Sequence, residues 1–234
     1  MKICGLQKTT LIDYPGKIAC TIFLYGCNFR CGFCHNPELV IKENNNIISE
    51  NEVLDFLEKR KKYLEGVCIT GGEPLISLNK DFLRKIKQKG YLIKLDTNGS
   101  FPEKLKDFIN NNLIDFISMD IKSSKENYSL ITNAKININD IEESIKLILN
   151  SNLDYELRTT IVDDFHDKSE LRKMSLWLNE ITGKKPKKFV LQGFNNNGKF
   201  INNKYELKAD ISEIYLNELK NEITDFFEII EIRV

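Results

Sequence analysis

Nothing in this chain approaches the roughly 20 consecutive apolar residues that a membrane-spanning helix requires. Its first residues, Met1-Lys2-Ile3-Cys4, lack the apolar core of a secretory signal. An excess of either charge is missing too: 34 Lys and Arg balance 34 Asp and Glu, for a formal net charge of zero. A protein that coats nucleic acid would carry a basic surplus, so neither nucleic acid nor a membrane is an expected partner. Low-complexity linkers, repeats shorter than a βα unit and breaks in composition are also absent. The 234 residues read as one domain, residues 1–234, with a single sizeable core and a cytoplasmic location.

Against this plain background stands Tyr25-Gly26-Cys27-Asn28-Phe29-Arg30-Cys31-Gly32-Phe33-Cys34-His35-Asn36-Pro37. In a reducing compartment, cysteines at this density are better suited to metal ligation than to disulfides. Cys27, Cys31 and Cys34 would supply three thiolates to a cubane iron–sulfur cluster, which ordinarily takes four. The fourth iron would then be open to bind and activate a small molecule, as an open position does in a catalytic zinc site. Zinc with a fourth ligand from water or another cysteine is the rival reading, and buried thiols acting as small hydrophobes the plain one. Cys4, Cys20 and Cys68 are left over; Cys20 and Cys68 lie in apolar strand-like runs and are expected to be buried. No cysteine falls between Cys34 and Cys68, so no second cluster is expected.

Strand-like and helix-like segments alternate along the chain. A short strand is expected within residues 2–12, before the turn word Asp13-Tyr14-Pro15-Gly16. Strands follow at Cys20–Tyr25, Val67–Thr70, Tyr91–Leu95, Phe116–Met119, Tyr155–Val162 and Phe189–Gln192. Asn44–Asn46 reads as a polar turn, and Ser49 with Glu52 as a capping box opening a helix through Leu54, Leu57 and Leu64. Gly90 closes a second helix, Pro102 starts a third, Asp140 caps a fourth, and Leu171, Met174, Leu178 and Ile181 mark a fifth. The core spans about 18–195, and a helix and terminal strand complete the chain over about 210–234. This is an α/β pattern of six parallel βα units with right-handed crossovers.

Unusual polar words fall at the carboxyl ends of successive strands, where parallel βα folds bind ligands. The cysteine loop follows the first of the six, Gly71-Gly72-Glu73-Pro74 the second, Asp96-Thr97-Asn98-Gly99 the third, and Asp120-Ile121-Lys122 the fourth. Arg158 and Thr160 lie along the fifth, and Gln192-Gly193-Phe194-Asn195 closes the sixth. One such word could be an ordinary turn; several in succession beside three cysteines point to one site.

Cys-x-x-x-Cys-x-x-Cys with Phe33 before the third cysteine, followed by Gly-Gly-Glu-Pro after a strand, resembles the radical S-adenosylmethionine (SAM) superfamily. Asp13-Tyr14-Pro15-Gly16-Lys17 and Cys34-His35-Asn36-Pro37 resemble the activating enzymes of glycyl radical enzymes, above all the activator of anaerobic ribonucleoside-triphosphate reductase. The resemblance implies a partial (β/α)6 TIM-like barrel holding a [4Fe-4S] cluster on Cys27, Cys31 and Cys34. It implies reductive cleavage of SAM to methionine and a 5′-deoxyadenosyl radical, which takes a hydrogen from a partner's backbone glycine. Flavodoxin or ferredoxin is the implied reductant.

By the same resemblance Phe33, Gly71, Gly72, Glu73, Asp96, Asn98, Asp120, Lys122, Arg158 and Asn195 surround SAM. Gly71 and Gly72 would let backbone approach the ligand, with Glu73 supporting their turn, and Lys122 would meet the SAM carboxylate. An ion pair inside the barrel is the other reading for Arg158. Asp96 and Asp120, with the Met119 carbonyl, make a candidate site for a monovalent cation, since Lys122 is their one evident compensating charge. Related activators carry His or Arg near the position of Asn195, so that match is loose. His35, next to a ligand cysteine, is expected to support the cluster by hydrogen bonding, and His166, in an Asp-rich loop, to be solvated. A radical SAM enzyme acting on a small molecule and a non-enzymatic iron–sulfur or zinc module are the competing classes. The chain stops soon after the sixth strand, which leaves room for a macromolecular substrate.

Overall fold

The computed structural model describes residues 1–41 and 47–234; the turn expected at Asn44–Asn46 lies outside them. Eight strands form one sheet in sequence order: β1 (Ile3–Thr10), β2 (Ala19–Leu24), β3 (Gly66–Gly71), β4 (Leu92–Thr97), β5 (Phe116–Asp120), β6 (Asp154–Ile161), β7 (Lys188–Gly193) and β8 (Ile229–Arg233). β1 runs antiparallel to β2, and every later pairing is parallel. The terminal strand therefore joins the sheet as a seventh parallel member beside the six read from the sequence. Gln7 on β1 and Gln192 on β7 line the same cavity, so the sheet is curled around a common interior. With β1 and β8 at its edges, the curl is an unclosed barrel.

The helices are α1 (Pro37–Val40), α2 (Glu50–Arg60), α3 (Lys80–Gln88), α4 (Pro102–Asn110), α5 (Tyr128–Thr132), α6 (Ile138–Asn150), α7 (Lys168–Thr182) and α8 (Glu213–Ile223). Ser49 and Glu52 form the expected capping box on α2. α2 ends at Arg60, short of Leu64, which packs in the core from the following turn. α6 begins at Ile138 with Asn137 as its cap; Asp140 sits inside the first turn, where its charge suits the helix dipole. Gly90 and Gly183 take the left-handed conformation just past α3 and α7. Among the described residues, no helix is long and apolar enough to cross a membrane.

The period of two along each strand divides the sheet into unlike faces. Ile22, Leu24, Val67, Ile69, Ile93, Leu95, Ile117, Leu157 and Leu191 pack with Val53, Leu57, Phe82, Leu105, Ile145 and Leu178 of the helices in the apolar core. Cys20 belongs to that core, as expected, whereas buried Cys68 lies beside Lys94 within the barrel. Parallel barrels usually fill their interior with branched apolar side chains. This one instead holds charged residues, in registers that decide the chemistry of the site.

Candidate active site

The cysteine loop leaves β2 and is held by backbone bonds that no sequence pattern announces. Gly26 N–H donates to Leu39 O at 2.8 Å, Glu73 N–H to Gly26 O at 2.6 Å, and Arg30 N–H to Thr132 O at 2.8 Å. The segment after β7 folds back over the loop: Asn202 N–H donates to Gly32 O at 3.0 Å. A Cβ on Gly32 would press on the Tyr205 ring. Tyr205 also meets Phe33 edge-on, and His35 packs against Phe194 and Phe200 with ring centroids 5.7 and 5.1 Å apart.

Cys27, Cys31 and Cys34 face one cavity of about 420 Å³, within the roughly 300–1,000 Å³ range of small-molecule sites. Burial pushes the Cys27 thiol up to about 12 and Cys31 to about 11, and raises Cys34 as well. Ligation must therefore expel protons that the bare site would keep. Among the described residues, no three His, Cys, Asp or Glu side chains close on a single-ion site.

Phe33, Gly71, Gly72, Asp96, Asn98, Asp120, Lys122, Arg158 and Asn195 line the same cavity. Glu73 does not. It is fully buried, and its carboxylate accepts from Leu75 N–H at 3.0 Å, Thr97 Oγ1 at 2.8 Å and Asn98 N–H at 2.6 Å. It braces the turn after β3 against the turn after β4 and lies behind the residues that line the cavity. Burial raises its carboxyl to about 7 even against those donors. Gly71 and Gly72 are required by the protein itself: Gly71 has φ +125, and a Cβ on Gly72 would collide with the Gly26 carbonyl.

Strand register explains the charged wall. Lys94 lies opposite Cys68 and Phe116, Asp96 opposite Ser118, Ser118 opposite Glu156, and Asp120 opposite Arg158. Arg158 Nε donates to Asp120 Oδ1 at 2.9 Å and Lys122 Nζ to Asp120 Oδ2 at 3.0 Å. Arg158 Nη2 lies 3.9 Å from Asp96 Oδ2, and Lys94 Nζ pairs with Asp96 Oδ1. Arg158 is thus both a barrel ion pair and a cavity wall. Burial would raise the Asp120 carboxyl, but Arg158 and Lys122 outweigh it and hold Asp120 well below the usual range. Deeper in the barrel, fully buried Glu156 accepts from Ser118 Oγ at 2.9 Å and from Arg233 Nη1 and Nη2 at 2.9 and 2.7 Å. Those partners overcome its burial and bring it down to about 2.

His166 is fully buried rather than solvated. Its Nδ1 accepts from Val162 N–H at 3.0 Å, which leaves Nε2 to donate to Lys122 O at 2.9 Å. Burial lowers its pKa, so it anchors the Lys122 backbone as a neutral ring. Thr160 lines the cavity beside Arg158, and so do Thr21 and Thr70; no motif singles out those two or Lys94. Lys94 left one signal, a lysine between Ile93 and Leu95 in a buried strand, two residues from Asp96. Asn195 Oδ1 is buried at the cavity with no hydrogen-bond partner among the described residues, as suits an acceptor for a ligand donor.

The Radical SAM superfamily profile matches residues 21–174. A Methanocaldococcus jannaschii protein named as a glycyl-radical enzyme activating enzyme is 32% identical over 183 residues, covering 74% of this chain and 73% of the relative. The pyruvate formate-lyase-activating enzyme of Clostridium pasteurianum is 27% identical over 182 residues, 74% of each chain. In structure, a domain of pyruvate-formate lyase-activating enzyme from Bacteroides vulgatus superposes with a TM-score of 0.56 at 18% identity, covering 72% of this chain and 99% of the domain. Streptococcus suis SuiB bound to S-adenosylmethionine gives 0.63 at 13% identity, over 91% of this chain and 51% of SuiB. At these identities the structural matches bear on the fold alone.

Proposed function

This chain belongs to the Radical SAM superfamily and, within it, to the glycyl-radical enzyme activases, and from that premise we propose that it activates anaerobic ribonucleoside-triphosphate reductase in the cytoplasm. The family uses a [4Fe-4S] cluster and SAM, which supply a one-electron reductive cleavage and with it a hydrogen-abstracting radical. The observation that carries the reading is the convergence of three thiols with the words ending β3, β4 and β5 on one open cavity.

In this reading Cys27, Cys31 and Cys34 hold the cluster. The backbone of Gly71 and Gly72 and the side chains of Asn98, Asp120, Lys122 and Arg158 orient the amino-acid end of SAM. Asn195 offers an acceptor to its nucleoside. Phe33, Phe29 and Phe23 line the cavity with apolar surface that limits water near the reacting atoms. The partner's glycine enters through the unclosed barrel, which requires its loop to leave the folded partner. Flavodoxin or ferredoxin supplies the electron.

Asp13-Tyr14-Pro15-Gly16-Lys17 and Cys34-His35-Asn36-Pro37 favour the reductase, whereas the relatives named for pyruvate formate-lyase favour a second reading, activation of that enzyme. Reduced protein, SAM and each candidate partner are mixed anaerobically and examined by electron paramagnetic resonance. A glycyl doublet on the reductase is the expected result. A doublet only on the lyase transfers the assignment, and SAM cleavage tied solely to turnover of a small molecule removes the activase reading.

A further inference from the structure

The four carboxylate oxygens of Asp96 and Asp120 each face a cationic side chain. Asp96 Oδ1 meets Lys94 Nζ, Asp96 Oδ2 faces Arg158 Nη2 at 3.9 Å, Asp120 Oδ1 accepts from Arg158 Nε at 2.9 Å, and Asp120 Oδ2 accepts from Lys122 Nζ at 3.0 Å. The case for a free monovalent cation assumed two aspartates compensated by Lys122 alone. Three side-chain cations already serve them.

Lys94 is the unusual member of the three. Its side chain is only 2% exposed, and Asp96 is its one ion-pair partner among the described residues. Its ammonium otherwise has the Cys68 sulfur at 3.9 Å and the Phe116 ring at 5.9 Å for company. A lysine buried on a strand is costly unless its charge is matched. Glu156, another carboxylate near enough to feel the Lys94 charge, is already met by both terminal nitrogens of Arg233. Asp96 lines the cavity on the same strand face two residues along, so Lys94 acts on the site through it.

We infer that Lys94 is a tethered counter-cation for the Asp96–Asp120 pair, occupying the electrostatic role of a free monovalent cation, so that SAM binds here without one. The inference rests on SAM occupying this cavity, not on the identity of the partner enzyme. Lys94 is accordingly a positioning residue: its charge fixes Asp96, while Lys122 and Arg158 hold Asp120.

The test measures SAM dissociation constants for the anaerobically reconstituted protein in matched sodium, potassium, lithium and choline chloride. Wild type should bind equally in all four. Lys94→Met should bind about tenfold more weakly in choline and recover in sodium or potassium, because a mobile cation then couples to SAM through Asp96. Sodium-23 line broadening on the SAM-free holoprotein reads the same point directly, with a saturable site expected in Lys94→Met and none in wild type. A wild type that binds SAM only with sodium or potassium overturns the inference. So does a Lys94→Met whose lost affinity no cation restores, the result of a merely structural role. The wild-type series stands even if the variant misfolds. No readout involves a glycyl radical, so this inference and the activase assignment fail separately.

Discussion

Glu73→Gln isolates a buried charge that the fold holds just behind the site. The substitution keeps the side chain's shape while removing its ability to ionise. In the wild type, burial lifts the carboxyl from an ordinary 4.5 to about 7 despite three hydrogen-bond donors. Because the folded-state value lies above the unfolded one, the folded state binds more protons between them. The contribution to stability is therefore full below about pH 4.5 and is lost as the pH rises through about 7. The gap of about 2.5 pH units, at about 1.4 kcal/mol each, makes about 3.5 kcal/mol. In a chain of this size that is about 7–14 °C in Tm. His166 titrates in a neighbouring window with the opposite sign: burial lowers its pKa, so its contribution is present above about 6.5 and lost as the pH falls. The difference between wild type and Glu73→Gln removes the His166 part. Anaerobic thermal melts of both proteins across pH 5–8.5 should therefore show the wild type losing ground to the variant up to about pH 7 and holding a constant offset beyond it. Parallel curves would refute the reasoning, and would mean that the Leu75, Thr97 and Asn98 donors keep Glu73 ionised throughout.

Cys27→Ala, Cys31→Ala and Cys34→Ala should each abolish stable assembly of about four irons per chain, while Cys68→Ala should assemble normally; iron and sulfide analysis after anaerobic reconstitution decides. Arg233→Met should cost about 3 kcal/mol in unfolding by leaving buried Glu156 only the longer Lys188 ion pair at 3.6 Å, and adding Glu156→Gln should recover most of it, as denaturant titration will show. Gly72→Ala should lower iron content and SAM binding together, because its Cβ meets the same Gly26 carbonyl that anchors Glu73 N–H.

What could be read in the sequence was what the chain writes locally. Three cysteines within eight residues, and Gly-Gly-Glu, Asp-Thr-Asn and Asp-Ile-Lys after apolar runs, each announce themselves within a short window. Their convergence followed from the general rule that parallel βα folds bind at strand ends. What escaped depends on register and on returns of the chain. Asp120 meets Arg158 across 38 residues, and Glu156 meets Arg233 across 77, because the even-numbered inner faces of β5, β6 and β7 align with the odd-numbered one of β8. The terminal strand looked like an appendage, yet it carries the guanidinium that pairs with the fully buried Glu156. His166 looked solvated because acidic neighbours surround it in sequence, but its ring spans two chain segments with one nitrogen apiece. Lys94 shows the limit most sharply. A count of charges within the Asp96 and Asp120 words leaves a deficit, which a mobile cation would fill. The pleat places Lys94 on the same face as Asp96 and removes that deficit, so the cofactor requirement itself turns on the side-chain period of one strand.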